Sequence, residues 1–161
     1  MAYELNTIAN FFINKAHQSG CNDLTPMKLL KLVYIAHGWN LGIYNDPLFI
    51  EEVSAWKFGP VIRPLYDQVR VYRNNPITSG LPSTGESISP EDNDLLEAVW
   101  DRYGKLSGIA LSQITHKPGS PWSQTWDSNS WDLIIPTDLI RDHYREMATA
   151  GARTAEDAAQ H

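Results

Sequence analysis

Few side chains in this chain could carry covalent or acid–base chemistry, and they are scattered. The single cysteine, Cys21, could act as a nucleophile with His37 or His116 as its base. It follows Gly20 at the end of a helical stretch, with no catalytic-cysteine signature around it. A small packed thiol is therefore the better reading. His37 falls inside the most apolar segment, which favours a hydrogen-bonded core histidine over a catalytic one. His116 precedes the Pro121-Trp122 turn, where capping a helix C-terminus is favoured over recognising a partner. Asp127 and Asp132 have no partner that spacing can assign and read as solvated acids. The sequence has no Gly-rich phosphate loop, paired-Cys metal knuckle, His-Glu-x-x-His or Gly-x-Ser-x-Gly elbow. No metal or cofactor is expected. An enzyme reading requires His37 and His116 to converge on one pocket.

Recognition chemistry is better provided for. Six tryptophans and seven tyrosines are a heavy aromatic load for 161 residues. Trp39, Trp56 and Trp100 fall on inner faces by periodicity. Trp122, Trp126 and Trp131 lie in irregular chain, where each either folds back as a lid on the core or stands out as an anchor.

The elements that would position these groups follow from spacing. Glu4 to Gln18 places Leu5, Ile8, Ala9, Phe12, Ile13 and Ala16 on one helical face, and Gly20 can close the helix. Thr25 is a good N-cap and Pro26 suits the first helical position. From Met27 to Leu41 the apolar residues wrap nearly all round, with Lys28 and Lys31 the sole charges. A helix of that kind is buried, so residues 25–41 are expected to form the centre of a mainly α, compact domain of five to six helices. A short strand is expected over Phe49–Phe58, hairpinned with Leu41–Tyr44 and ended by Gly59-Pro60. Val61, Leu65, Val69 and Tyr72 mark the next helical face, with Arg63 and Asp67 spaced as an i,i+4 pair. Residues 73–90 read as a long flexible loop, and Ser89-Pro90-Glu91-Asp92 as a strong helix start. A helix over Ser107–His116 turns Leu111 and Ile114 inward, Ile134-Ile135 suggests a brief strand, and a last helix runs through Met147. Residues 1–148 thus form a single domain, and 149–161 are expected as a disordered tail.

Composition narrows the function classes. The formal charge of −6 argues against non-specific nucleic-acid binding, which needs a basic surface. It suits a basic protein partner better. No apolar run reaches the roughly 20 residues needed to cross a bilayer. No leader pattern opens the chain and no disulfide can form within it, so a cytoplasmic protein is expected.

Several blocks carry a more specific message. They are Thr25-Pro26-Met27-Lys28-Leu29-Leu30-Lys31-Leu32-Val33-Tyr34 with His37-Gly38-Trp39, then Pro47-Leu48-Phe49, Ala55-Trp56-Lys57-Phe58-Gly59-Pro60-Val61 and Leu65-Tyr66. Leu111-Ser112-Gln113-Ile114-Thr115-His116 and Pro121-Trp122 follow. Over residues 5–126 the chain resembles the Panacea antitoxin domain, also known as a phage-associated domain and from SocA-type antitoxins. The resemblance implies a helical, non-catalytic protein that neutralises a protein toxin encoded beside it, often one that attacks translation, by direct binding. SocA-type members imply a second kind of partner, a bacterial protease to which the toxin is delivered. A phage or mobile-element protein that binds a host defence or regulatory factor is the alternative. Carried over residue by residue, the partner-binding positions are Trp56, Phe58, Gly59, Pro60, Tyr66, His116, Pro121 and Trp122. Each could instead serve to maintain the fold, as a Gly-Pro turn or a tryptophan pinned on the central helix. An aromatic and acidic contact surface is expected.

Overall fold

In the computed structural model, which describes residues 2–160 and the side chains of residues 2–153, the central helix α2 spans Pro26–Tyr44. The Thr25 hydroxyl accepts from Lys28 N at 3.3 Å, and Asn45 ends the helix in a left-handed conformation at φ 54°. Every residue from Lys28 to Gly42 is buried. Three further serine caps start helices, the last of them opening a short helix where irregular chain around Trp122 was expected. Ser89, Ser107 and Ser120 accept from the amides of Asp92, Ala110 and Ser123 and open α4 (Pro90–Tyr103), α5 (Gly108–His116) and α6 (Pro121–Thr125).

Around α2 pack α1 (Leu5–Gln18), α4, α5 and α7 (Thr137–Gln160). The fold is mainly helical, with seven α-helices among the described residues. A short helix α3 (Arg63–Val69) is extended by a 3-10 turn at Arg70–Tyr72. The small antiparallel sheet has the order β2-β1-β3, with β1 at Ser54–Trp56, β2 at Gly59–Val61 and β3 at Leu133–Ile134. Trp56 pairs with Gly59, and Ala55 with both Pro60 and Leu133.

The sheet corrects the expected hairpin. Leu41–Tyr44 belong to α2, and the partner of β1 is the Gly59-Pro60-Val61 segment that was read as its end. Gly59 holds φ +121°, which a side chain would resist, and so turns the chain from one strand to the next. Val61 consequently lies in a strand and not on the α3 face. Ile114 is 37% exposed, and α5 instead buries Leu111, Ser112 and Thr115.

Residues 73–89 have no helix or strand, yet they are fastened along α1. Asn10 donates to Leu81 O at 2.8 Å and accepts from Leu81 N at 2.7 Å. Glu4 accepts from both Thr84 N and Thr84 Oγ1, and Glu86 accepts from Glu4 N and Thr7 Oγ1. Ile77 is buried and its amide donates to Leu24 O. The segment expected as a flexible loop is therefore a strap. The last helix also continues past Met147 through the Ala-rich stretch, alanine being the strongest helix former. Of the residues assigned to a tail, His161 lies outside the described residues.

The closest approach in the fold is between α2 and α7. A Cβ on Gly38 would lie 2.3 Å from the Tyr144 ring, and one on Gly42 would lie 2.7 Å from the backbone of Tyr144 and Arg145. Gly42→Ala is expected to cost about 1–3 kcal/mol in urea unfolding, because backbone cannot yield as a side chain can. Gly151→Ala, with nothing within 4 Å, should be neutral or stabilising by up to about 1 kcal/mol.

Candidate functional site

One tight turn organises the region to which the resemblance points. Between β1 and β2 the chain presents Lys57 and Phe58 outward, with Phe58 62% exposed. The turn is held from behind. Trp122 Nε1 donates to Trp56 O at 2.6 Å, and Ser112 Oγ donates to Phe58 O at 2.5 Å. The Ser112 hydroxyl proton is thereby committed, so the 3.3 Å contact to His116 Nδ1 requires that nitrogen to carry the proton. The His116 ring packs edge-on against Trp122 at 5.3 Å.

The eight positions carried over from the resemblance divide into two groups. Trp56, Phe58 and Tyr66 line an open cleft of about 460 Å³. Gly59, Pro60, Pro121 and Trp122 are buried behind the turn, and His116 is half-buried beside them. His116 binds Ser112 Oγ and not the last carbonyls of its helix, which corrects the expected cap. Of the three loop tryptophans, Trp122 is core at 8% exposure, Trp126 stacks on it at 5.0 Å, and Trp131 stands out at 72%. Trp131 stacks on Trp56 at 5.2 Å, and Tyr66 meets Trp56 edge-on at 4.9 Å.

Asp132 fixes that aromatic group. It accepts from Trp56 Nε1 at 2.8 Å and pairs with Arg63 at 3.2 Å. Its carboxyl is held below the usual range first by the indole N–H, then by Ser54 and Arg63. It is therefore a positioned acid, and Arg63 reaches it in place of Asp67. Asp127 likewise accepts from Asn129 N at 2.9 Å and shapes the turn before Trp131.

The floor of the cleft comes from α2 through Pro26, Met27, Leu30 and Lys31. Lys31 is 2% exposed, and its Nζ donates to Pro60 O at 2.9 Å. Burial pulls its pKa down from 10.5 to about 7. Lys57, Arg70 and Arg73 are the other basic residues of the lining, and no carboxylate is among the lining residues. The expected acidic contact surface is thus basic at this cleft. The partner-binding positions carried over from the resemblance do not include Lys31, Arg70, Arg73 or Trp131. One sequence signal for Lys31 did exist, namely a lysine on a helix with no polar face.

The residues considered for catalysis lie apart. His37 is buried, accepts from Leu48 N through Nδ1 at 3.2 Å and stacks on Phe49 at 4.1 Å. Burial lowers its pKa to about 4, so it is a neutral core histidine. His116 lines none of the space that His37 reaches beside Pro47, Glu52 and Pro136. Cys21 is half-buried, with its thiol on Asp23 Oδ1 at 2.9 Å and Lys28 Nζ at 3.8 Å, and not on a histidine. Among the described residues no group of three or more His, Cys, Asp or Glu could hold a metal ion, and no helix is long and apolar enough to cross a membrane.

Comparison with known families places this buried helical hub and its hairpin. The model of the SocA-like antitoxin family, Panacea domain, matches residues 29–123, and the chain belongs to that family. Antitoxin SocA of Caulobacter vibrioides (strain NA1000 / CB15N) is 30% identical over 156 residues, covering 88% of this chain and 82% of the relative. No solved structure matches. Family membership supports an antitoxin role.

Lys31 makes a testable mark on stability. Between pH 7 and pH 10.5 an unfolded lysine holds a proton that the buried one has released. The unfolded state then binds more protons, so stability rises with pH across that window, by at most about 1.4 kcal/mol per pH unit. In urea titrations the wild type should gain on Lys31→Met from pH 7 to pH 10. A constant difference across that range would mean that the ammonium stays charged in the fold.

Proposed function

We propose that this chain is a non-catalytic antitoxin that neutralises a protein toxin by binding it directly. The cleft rimmed by Trp56, Phe58, Tyr66 and Trp131 lies at the centre of the contact. The observation that carries this reading is the pair of exposed aromatics, Phe58 at 62% on a turn bolted from behind and Trp131 at 72% stacked on Trp56 beside it. Such rings lose little entropy on docking and supply the large apolar contact typical of interface hot spots. The buried members of the predicted set serve the same surface indirectly. Trp122, Pro60 and Gly59 hold the turn in shape, and His116 supports the Ser112 bond to Phe58 O.

Toxin is inactivated by occlusion in this reading. Co-expression with the neighbouring toxin separates occlusion from degradation: toxicity falls at a steady toxin level in the first case and with a falling level in the second. Delivery to a protease would appear as the second outcome.

Phe58→Ala and Trp131→Ala should stay within about 0.5 kcal/mol of wild-type stability. Each should weaken toxin binding by about 2 kcal/mol, roughly 30-fold in Kd, and restore toxicity on co-expression. Trp122→Ala should instead lose about 3–5 kcal/mol of stability through the emptied core. Equal toxin affinity in folded Phe58→Ala and Trp131→Ala would move the contact to another face.

A further inference from the structure

The cleft has a charge opposite to that of the chain around it. The chain carries a formal −6, from 13 Lys and Arg against 19 Asp and Glu. Yet the basic residues of the cleft lining are Lys31, Lys57, Arg70 and Arg73, and no carboxylate joins them there. Elsewhere Lys15, Lys28, Arg63 and Arg141 each meet a carboxylate within 4.0 Å. Among the described residues the four cleft cations have no such partner. Lys57 lies over the Phe58 ring at 5.5 Å, so its charge is held at the rim.

Lys31 sharpens the point. Its side chain is 2% exposed and Pro60 O is the one acceptor it meets among the described residues, at 2.9 Å. A carboxylate placed beside Lys31 would favour its protonated form, which carries three donors, two of them beyond the Pro60 bond and without a protein acceptor. Pro26 and Met27, in the first turn of the 19-residue helix α2, also line the floor, and the positive end of the helix dipole adds to the potential there.

We propose that this cleft is a receptor for an acidic segment of the partner protein, with one carboxylate over Lys31 and neighbouring apolar side chains against Phe58 and Trp131. The inference deepens the binding reading above and rests on it for the presence of a protein partner. A carboxylate satisfies the free donors and neutralises the cluster, and apolar neighbours use the exposed rings. A nucleotide fits less well. Trp56 and Trp131 are already stacked at 5.2 Å and leave no slot between them for a base. The helix start offers no phosphate cradle either, because Pro26 has no N–H and Lys28 N is capped by Thr25.

The test is a selection from a random 12-residue peptide library displayed on phage, using the purified chain as bait. The enriched peptide is then resynthesised and its Kd read from tryptophan fluorescence. Enriched sequences should place Asp or Glu next to Phe, Leu or Trp. Changing those acids to Asn or Gln should weaken binding about 10–100-fold, the range for one charge-assisted hydrogen bond. Lys31→Met should do the same. Because that change touches the core, the exposed pair Arg70→Gln with Arg73→Gly provides a second variant, glycine suiting the φ of 55° and ψ of −113° at that position. A weakening of at least about 5-fold in the pair is expected, from two lost ionic contacts.

No consensus, a basic consensus, or peptide binding indifferent to both variants would overturn the inference. So would displacement of the peptide by ATP at lower concentration than the peptide itself requires. The toxin assay separates the two readings. Toxin neutralisation without an acidic consensus removes the acidic-segment receptor and leaves the antitoxin. An acidic consensus lost in the variants, without toxin neutralisation, leaves the receptor and removes the toxin.

Discussion

A helix with no side facing water sets the terms for everything packed around it. From Lys28 to Gly42 every residue of α2 is buried, and four of them carry polar side chains that cannot reach solvent. An unanswered buried polar group costs on the order of 1–3 kcal/mol, and a charged one more. Among the described residues Tyr34 Oη and Asn40 Oδ1 have no partner, but the donors and acceptors that are met are met by different parts of the chain. Lys28 donates to Asp23 and to Gly104 O at the end of α4, and Lys31 donates to Pro60 O in β2. His37 accepts from Leu48 N, and Asn40 donates to Asp46 O. The apolar wrapping makes the helix central. Its few polar groups decide which neighbour sits where.

The recognition face inherits its geometry from that arrangement. Lys31 ties β2 to the hub, Trp122 ties β1 to α6, and Ser112 ties the turn between the strands to α5. Three elements therefore fix a turn of two residues, and Phe58 on it gains rigidity without losing exposure. The local charge also departs from the global one. A net acidic chain gathers four cations without a carboxylate partner at one cleft, so overall charge is a poor guide to the charge of that cleft.

What could be read from the sequence was what is decided locally. Thr25-Pro26, Ser89-Pro90 and the Gly20 stop act within one turn of chain, and all appear where spacing puts them. The buried hub and the mainly helical class follow from periodicity. Features that depend on a distant partner were misread. Leu41–Tyr44 look like strand material but remain helical to the Asn45 stop, while Gly59-Pro60 looks like a break but pairs with Trp56 and Ala55. The 73–89 strap is anchored by Asn6, Asn10 and Glu4, three polar residues whose use no helical pattern discloses. The same holds for the site. The family blocks pointed to Trp56, Phe58 and Tyr66, whereas Trp131 and Arg73 join them through a fold that brings distant residues together.

The glycine contact between α2 and α7 bears on the order in which the chain can complete itself. Gly38 and Gly42 are bare so that Tyr144 and the backbone beside it can lie against them, more than a hundred residues later in synthesis. Until α7 emerges from the ribosome, the hub has a trough along one side, lined by small residues and the Tyr34 ring. A nascent chain can assemble α1 to α6 and the Gly59 turn, but α2 becomes a fully interior helix when α7 closes that trough. The centre of the molecule is thus sealed by an element made more than a hundred residues after the helix it covers, and without α7 that most apolar helix keeps an open seam.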